Sequence, residues 1–565
     1  MMKKIVIVGG VAGGATAAAR IRRLDENAQI TVFERSGYVS YANCGLPYYI
    51  GGAIEDEEEL TLQTPESFFK RFRIDVRVHH EVVSIDRAKK SVAVKNLETG
   101  ETFKESYDKL ILSPGARPIV PPLEGVNDPL VFSLRTVEDT LKIHSFIEKN
   151  NPKSAVIVGG GFIGVELAEN LCELGTRVTI VDMQPQLMNQ LDGDMAAFIH
   201  AKMRAKGIDL LLERGVSAFR SNGKTIETVL GEGESVSADM AVIAVGVAPD
   251  TKLAKDAGLE LGIRGSILVN EQMQTSDDDI YAVGDAVQVK HFVTGEPSLI
   301  ALAGPANKQG RIAADNICGI ESDFDGSQGS SVIKVFDMTA ATTGINEKTA
   351  KALGIDYEKV FLSPANHAGY YPGGKVMTMK VLFERGRDKL LGAQIVGFDG
   401  VDKRIDVIAT AIRAGMKASE LKRLDLAYAP PYSSAKDPVN MAGFMIENIN
   451  KGIVKQFHWH EVEALASDGS VILLDVRTTS EYDRGHIEGF INIPVDELRE
   501  RINELEAGKK VYIMCQSALR SYIGYRILAQ NGFDCVNLAG GYRLYQTVMQ
   551  DKLAAEKAAH CGKEE

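Results

Sequence analysis

Ala155-Val156-Ile157-Val158-Gly159-Gly160-Gly161-Phe162-Ile163-Gly164 decides how this chain folds. Four apolar residues in a row, most of them β-branched, read as a buried parallel strand. Gly159, Gly161 and Gly164 then have the spacing of a tight turn that opens a helix, with Phe162 and Ile163 inside it. A strand, glycine turn and helix of this kind set backbone N–H groups and the positive end of the helix against a pyrophosphate. A second apolar run, residues 177–181, ends at Asp182, where a carboxylate accepts from a ribose 2′-hydroxyl and repels a 2′-phosphate. No Lys or Arg lies between Met183 and Gln190, so NADH is expected over NADPH.

The pattern occurs a second time, about 150 residues upstream. Residues 3–8 are β-rich, Gly9-Gly10-Val11-Ala12-Gly13-Gly14 is a turn, and residues 15–23 are helix formers. Val11 replaces the second fingerprint glycine, but Glu34, followed by Arg35, ends the next strand twenty residues after Gly14. Two dinucleotide units in one α/β chain point to FAD in one and NAD in the other. Three more strand-and-turn segments follow: residues 107–116 with Ser113, Pro114 and Gly115, residues 241–246 ending at Gly246, and residues 280–286 with Gly284 and Asp285.

Between the first unit and its neighbours lies Ser40-Tyr41-Ala42-Asn43-Cys44-Gly45-Leu46-Pro47-Tyr48-Tyr49, which offers one cysteine among glycine, proline and polar residues. A thiolate there acts as nucleophile and electron relay when a cation, a helix end or an electron-poor ring stabilises it. The whole chain has 565 residues, too many for one core, so several domains are expected. A net charge of −12 argues against a general nucleic-acid surface. Six cysteines without CxxC spacing fit a reducing compartment. The N-terminus imitates a signal peptide, yet its apolar run stops at Val8, and no run approaches the length of a membrane span. A soluble, cytoplasmic protein is expected.

These segments resemble the flavoprotein disulfide reductases that bind two dinucleotides. The resemblance implies that Asp285 bonds the flavin ribityl chain. It also implies an FAD domain of residues 1–115 and 250–325, an NAD domain of 116–249 and a dimer-forming α+β domain of 326–447. Glutathione-reductase-like members use CxxxxC, whereas position 49 here is Tyr, so a lone thiol is oxidised to a mixed disulfide, persulfide or sulfenic acid. NADH peroxidases and water-forming oxidases, an alternative reading, carry a His where Ala12 stands.

The turn with residues 40–48 resembles the coenzyme A-disulfide reductases over residues 1–447. Asn366-His367-Ala368-Gly369-Tyr370-Tyr371-Pro372-Gly373 and Ala427-Tyr428-Ala429-Pro430-Pro431-Tyr432-Ser433 strengthen it. The resemblance implies a homodimer in which Tyr370 and Tyr428, from the partner subunit, lie over the active thiol, with Tyr371 and Tyr432 as substitutes. A phenol beside a leaving thiolate donates a hydrogen bond or proton. Coenzyme A phosphates need cations, and Arg20, Arg22 and Arg23 lie on one helix while Lys70, Arg71 and Arg73 follow Phe68-Phe69, which are placed to pack on adenine. Ser40, Asn43, Gln63, Asn307 and Arg311 are further candidates by the same likeness.

After a linker at 448–456 the chemistry changes. Val471-Ile472-Leu473-Leu474-Asp475-Val476-Arg477 and Val511-Tyr512-Ile513-Met514-Cys515-Gln516-Ser517-Ala518-Leu519-Arg520 resemble an α/β rhodanese domain, residues 457–565. Its loop holds Cys515 among backbone N–H groups at a helix N-terminus, with Asp475, Arg477, Gln516 and Arg520 around it. Four residues separate Cys515 from Arg520, where phosphatases of similar shape use five, which favours sulfur transfer. Ala518 takes the place of a common Gly and Phe490 that of a common Ala. His458 and His460 lack a third partner, and no metal site is expected. Cys172, Cys318, Cys535 and Cys561 read as packing or tail. The expected activity is NADH reduction of CoA disulfide, CoA persulfide or polysulfide at Cys44, with Cys515 delivering sulfane sulfur. A sulfur-carrier or redox-sensing module is the remaining alternative.

Overall fold

In the computed structural model, which describes residues 2–466 and 469–561, each glycine turn leaves the middle strand of a five-stranded parallel sheet. In the first sheet Lys4–Val8 lies between Gln29–Phe33 and Lys109–Leu112, with Asp75–Arg77 and Ile280–Ala282 at the edges. In the second, Ser154–Val158 lies between Arg177–Asp182 and Met240–Ile243, with Asp209–Leu212 and Val131–Ser133 at the edges. The central strands are covered on both faces, which is why they read as unbroken apolar runs. Each sheet reverses its strand order at the central strand, the place where open α/β sheets bind ligands. Ile280–Ala282 pairs with Lys109–Leu112, so the chain returns to the first sheet after completing the second.

The two turns are held by the same steric rule. Gly9 and Gly159 have φ of 95° and 112°, and an added Cβ would lie 2.1 Å from the Ser113 carbonyl oxygen or 2.4 Å from that of Ala244. A Cβ on Gly14 or Gly164 would lie 1.9 or 2.0 Å from the carbonyl oxygen of the first glycine of its turn, so strand and helix pack as closely as they do only with glycine there.

The chain forms two units, Met1–Pro185 with Gly207–Gly329, and Gln186–Lys206 with Ser330–Glu565. The second unit contains an antiparallel sheet in the order Ser331–Val335, Met338–Gly344, Leu390–Gly397, Thr378–Glu384, Tyr357–Leu362. It also contains a parallel sheet in the order Gln456–Phe457, Cys535–Leu538, Lys510–Met514, Val471–Asp475, Ile491–Asn492. Helix Gly193–Ala205 is tied to the antiparallel sheet by a buried ion cluster. The Lys380 ammonium lies 2.8 Å from Asp192, 2.8 Å from Asp194 and 2.5 Å from Glu347, and Lys359 reaches Glu347 at 2.7 Å. Among the described residues these carboxylates are the only acidic, imidazole or thiol group close enough to share an ion, and Lys380 already supplies its charge. His458 and His460 stack on each other, and His458 faces Glu358 at 3.7 Å. No helix among the described residues is long and apolar enough to cross a membrane.

Candidate functional site

The helices that open from the two glycine turns present bare N-termini. Ala12–Leu24 and Phe162–Glu173, which follow the glycine turns, have neither a side-chain cap nor an acidic residue in the first turn. Helices Pro65–Phe72 and Val137–Asn150 are instead closed by capping boxes. A Cβ on Gly161 would meet nothing within 4 Å, leaving room for a ligand beside the second helix. The acidic partners are also placed alike. Glu34 accepts from the Gly10 N–H at 2.8 Å and from Ser36, and Asp182 accepts from the Gly160 N–H at 2.6 Å and from Gln184. Each carboxylate therefore shapes the turn and still has lone pairs for a ribose hydroxyl. Both turns fit a dinucleotide. Ala12 and Gly13 open the first helix, and the Ser113 hydroxyl lies 3.0 Å from where a Gly13 Cβ would be. Pro114 and Gly115 continue from Ser113, and Gly246, at φ 110°, accepts from the Ile119 N–H. Arg35 pairs with Asp250 at 2.8 Å, while Asp285 accepts from Arg135 at 2.8 Å beside Gly284, whose N–H donates to Gln309.

Cys44 sits in the short turn Asn43–Gly45 ahead of helix Leu46–Ile50 and is exposed. The structure packs that helix on Phe162–Glu173, a neighbour more than a hundred residues away in sequence. The Tyr48 hydroxyl reaches Glu166 at 3.4 Å, and an added Cβ on Gly51 would lie 2.0 Å from the Asn170 side-chain oxygen. Burial pushes the Glu166 carboxyl up to about 7, with Glu169 adding to the shift and Tyr48 opposing it. Partial desolvation of the sulfur, then Glu166, push the otherwise exposed Cys44 thiol up, and Arg135 pulls it down. The chain's own groups thus leave the thiolate undersupplied with positive charge, which an electron-poor ring would correct. Glu166, Tyr48 and Arg135 were missed in the sequence. The signal for Glu166 was a carboxylate inside an otherwise apolar helical run, residues 162–168.

The coenzyme A candidates divide. Arg20, Asn307 and Arg311 come together because helix Ala12–Leu24 packs on Ala303–Ile317. Arg20 bonds Asp315 at 2.6 Å, Arg311 lies 3.8 Å from the same carboxylate, and Thr16 donates to Asn307 at 2.5 Å. Lys70 and Arg71 are exposed on Pro65–Phe72, Gln63 accepts from Ser67, and Ser40, at φ 50°, adjoins Asn43 through the Cys44 stretch. Two expectations are corrected. Arg22 does not face a substrate: it is 6% exposed, and its guanidinium donates to the carbonyls of Phe72, Asp25, Glu26, Ala28 and Arg73. It lashes the end of helix Pro65–Phe72 to Ala12–Leu24, while Arg23 faces outward. Phe68 is core, not an adenine platform; only Phe69 is exposed, with Arg73 over its ring at 5.2 Å.

In the second unit the Tyr370 and Tyr428 hydroxyls share a hydrogen bond of 2.7 Å, which pushes the Tyr428 phenol up. Their loops converge on a residue that sequence reading passed over. Arg404 is 1% exposed and donates to Asp437, to the Asn366, Tyr432 and Gly400 carbonyls and to Ser433. Ala368 N–H donates to the Ser433 carbonyl and joins the same loops directly.

Cys515 directly follows strand Lys510–Met514 and is wholly buried, accepting from the Ser521 hydroxyl at 3.3 Å. The loop is buttressed from below, because the Tyr542 and Arg543 N–H groups donate to the Cys515 and Gln516 carbonyls. Ala518 holds φ of 69° at the head of helix Leu519–Gln530, which accounts for glycine being common there. Arg477 grips Asp475 through two nitrogens, lies 4.0 Å over the Tyr542 ring and reaches Gln516 at 3.5 Å. Arg520 forks onto Glu481 at 2.6 and 2.7 Å. Cys535 is buried with its thiol pushed up to about 11, an inert packing group. The side chain of Cys561 lies outside the described residues.

Residues 3–310 match the pyridine nucleotide-disulphide oxidoreductase model, 330–438 the dimerisation domain of that family and 458–547 the rhodanese-like domain. Coenzyme A disulfide reductase of Staphylococcus aureus is 37% identical over 444 residues, 78% of this chain and 99% of that one. Reduced Bacillus anthracis CoADR-RHD superposes with a TM-score of 0.95 at 49% identity, covering 98% of this chain and 99% of that chain. An NAD-dependent persulfide reductase from A. fulgidus gives 0.91 at 38% identity, covering 96% and 100%.

Proposed function

Because the chain belongs to the pyridine nucleotide-disulphide oxidoreductase family and adds a rhodanese-like domain, we propose that it uses NADH to reduce CoA disulfide and CoA persulfide at Cys44. The observation that carries this reading is a single exposed thiol, with Tyr at position 49, docked on the helix of the second nucleotide turn. FAD, when bound at the first turn, supplies the two-electron relay between nicotinamide and thiol. Asp182 selects NADH by accepting from the ribose 2′-hydroxyl.

The chain's part is thiol chemistry. Cys44 thiolate attacks one sulfur of CoA disulfide, the S–S bond breaks and one CoA leaves as thiol. The mixed disulfide left on Cys44 takes two electrons provided by NADH, releasing the second CoA and restoring the thiolate. With CoA persulfide, attack on the outer sulfur releases CoA thiol, and the same two electrons release sulfide. Tyr370 and Tyr428, supplied by a second copy of the chain, protonate the leaving sulfur. Four exposed tyrosines on their loops, Tyr370, Tyr371, Tyr428 and Tyr432, support an interface there. Arg20, Arg23, Lys70, Arg71 and Arg311 meet the CoA phosphates, with Ser40, Asn43, Gln63 and Asn307 as polar contacts. Ala12 offers no acid-base group for O–O cleavage, which disfavours a peroxidase. Cys515 collects sulfane sulfur and hands it to a CoA thiol.

Steady-state assays of the FAD-loaded protein test this. Cys44→Ser is expected to abolish NADH oxidation with CoA disulfide and with CoA persulfide. Cys515→Ser is expected to spare CoA disulfide and to lose turnover from donors that must load the rhodanese loop. Equal loss of both activities in Cys515→Ser would refute the division of labour, and faster turnover with hydrogen peroxide than with CoA persulfide would refute the reaction class.

A further inference from the structure

Two guanidinium groups lie at the Cys515 loop, Arg477 beside Gln516 and Arg520 at the head of the helix that follows, and each already has its own carboxylate. Arg477 is gripped by Asp475, both essentially buried, at 2.6 to 3.1 Å. Arg520, which feels the charge on Cys515, is forked by Glu481 at 2.6 and 2.7 Å. Glu481 is not a chance neighbour. It is fixed in the first turn of Thr479–Asp483, where its carboxylate also accepts from the Thr478 N–H and hydroxyl while the Glu481 N–H donates to the Thr478 side chain. The two cations that would attract an anion to the thiol are therefore neutralised by groups that cannot easily swing away.

Resting on the reading of Cys515 as a sulfur carrier, we propose that Glu481 sets its donor class. By pairing off the Arg520 charge it admits thiol-bound persulfides and turns away small sulfur oxyanions such as thiosulfate. A persulfide brings at most one charge to the reacting sulfur and loses it on protonation. Thiosulfate is a dianion and has to shed sulfite, with both charges, beside Glu481. In the accepted step the Cys515 thiolate, held by the Ser521 hydroxyl, attacks the outer sulfur of the persulfide. The new bond joins Sγ to that sulfur, the old S–S bond breaks, and its electron pair leaves with the donor thiol, which takes a proton from water. Cys515 becomes a persulfide, and no external oxidant or reductant is consumed.

The test follows sulfur loading of Cys515 by peptide mass mapping after short mixing of the 565-residue chain with glutathione persulfide or with thiosulfate. The unmodified protein is expected to load at least about tenfold faster from the persulfide. Glu481→Gln is expected to raise the thiosulfate-to-persulfide rate ratio about tenfold by freeing Arg520. That gain is expected to vanish at high salt and in the Glu481→Gln, Arg520→Gln double variant. Equal loading of the unmodified protein by the two donors overturns the proposal even if the variant fails to fold. An unchanged ratio in a folded Glu481→Gln protein overturns it as well. Loading of the unmodified protein by neither donor overturns the sulfur-carrier reading itself, and this proposal with it.

Discussion

Glu166 is the residue through which pH reaches the Cys44 site. Its carboxyl is pushed up to about 7, chiefly by burial, so in the folded protein it holds a proton that the unfolded chain has released. A raised carboxyl favours the fold fully below the ordinary carboxylate value and loses that contribution as pH climbs through about 7. Glu166→Gln cannot ionise and escapes the loss. It is expected to match the parent protein near pH 4 and to be more stable by roughly 2 kcal/mol near pH 8. Thermal unfolding across that range checks the prediction; a pH-independent difference between the two proteins would sink it. The same substitution removes a negative charge that raises the Cys44 thiol, so the thiolate fraction, read by alkylation rate against pH, should rise. Arg22 teaches the complementary lesson. It has the charge a phosphate wants, but all its donors are turned onto backbone carbonyls, and its contribution is to the joint between two helices.

At the scale of elements, two loops present Tyr370 and Tyr428, and neither has regular structure to hold it. Helix Val401–Arg413 does so through Arg404, whose fork spans both loops and the Asp437 cap of helix Pro438–Asn450. Arg404→Met leaves the Asp437 carboxylate buried without its cation. It is expected to cost about 3–5 kcal/mol and to lower kcat for CoA disulfide at least tenfold. Arg404→Lys, which restores the charge without the fork, should recover stability more than kcat. Unfolding curves and kinetics of the two variants decide this, and normal kcat in a destabilised Arg404→Met would show that the loops hold themselves. The glycine turns show the opposite economy: two elements of the first unit are positioned by backbone alone, since any Cβ at Gly14 or Gly164 would collide with a carbonyl.

For the whole molecule, the proposed supply of Tyr370 and Tyr428 by a second copy of the chain requires an assembly of two. Sedimentation is expected to show twice the chain mass. Chains carrying Cys44→Ser, coexpressed with chains carrying Tyr370→Phe and Tyr428→Phe, should recover roughly a quarter of the parent activity, because half the assemblies are mixed and each has one intact site. A monomer in sedimentation, or no recovery in the mixture, contradicts the shared site.

An α/β chain with two dinucleotide turns is legible from local signals, while the rhodanese-like domain is legible only by its resemblance to a known family. Buried parallel strands leave apolar runs such as residues 155–158, and Gly159 and Gly164 are required wherever backbone meets backbone. Such signals survive in one dimension because their cause is local sterics and burial. What the fold alone decided was which charged residues stay near the surface and which are buried to hold the scaffold. Arg20 and Arg22 sit two positions apart on one helix, and only packing turns one toward Asp315 and the other into a nest of carbonyls. Glu166 beside Cys44, Arg404 beneath the tyrosines and Glu481 on Arg520 are partners separated by tens to more than a hundred residues. A charged side chain takes its role from whatever the tertiary structure places within hydrogen-bonding reach, and no spacing along the chain encodes that.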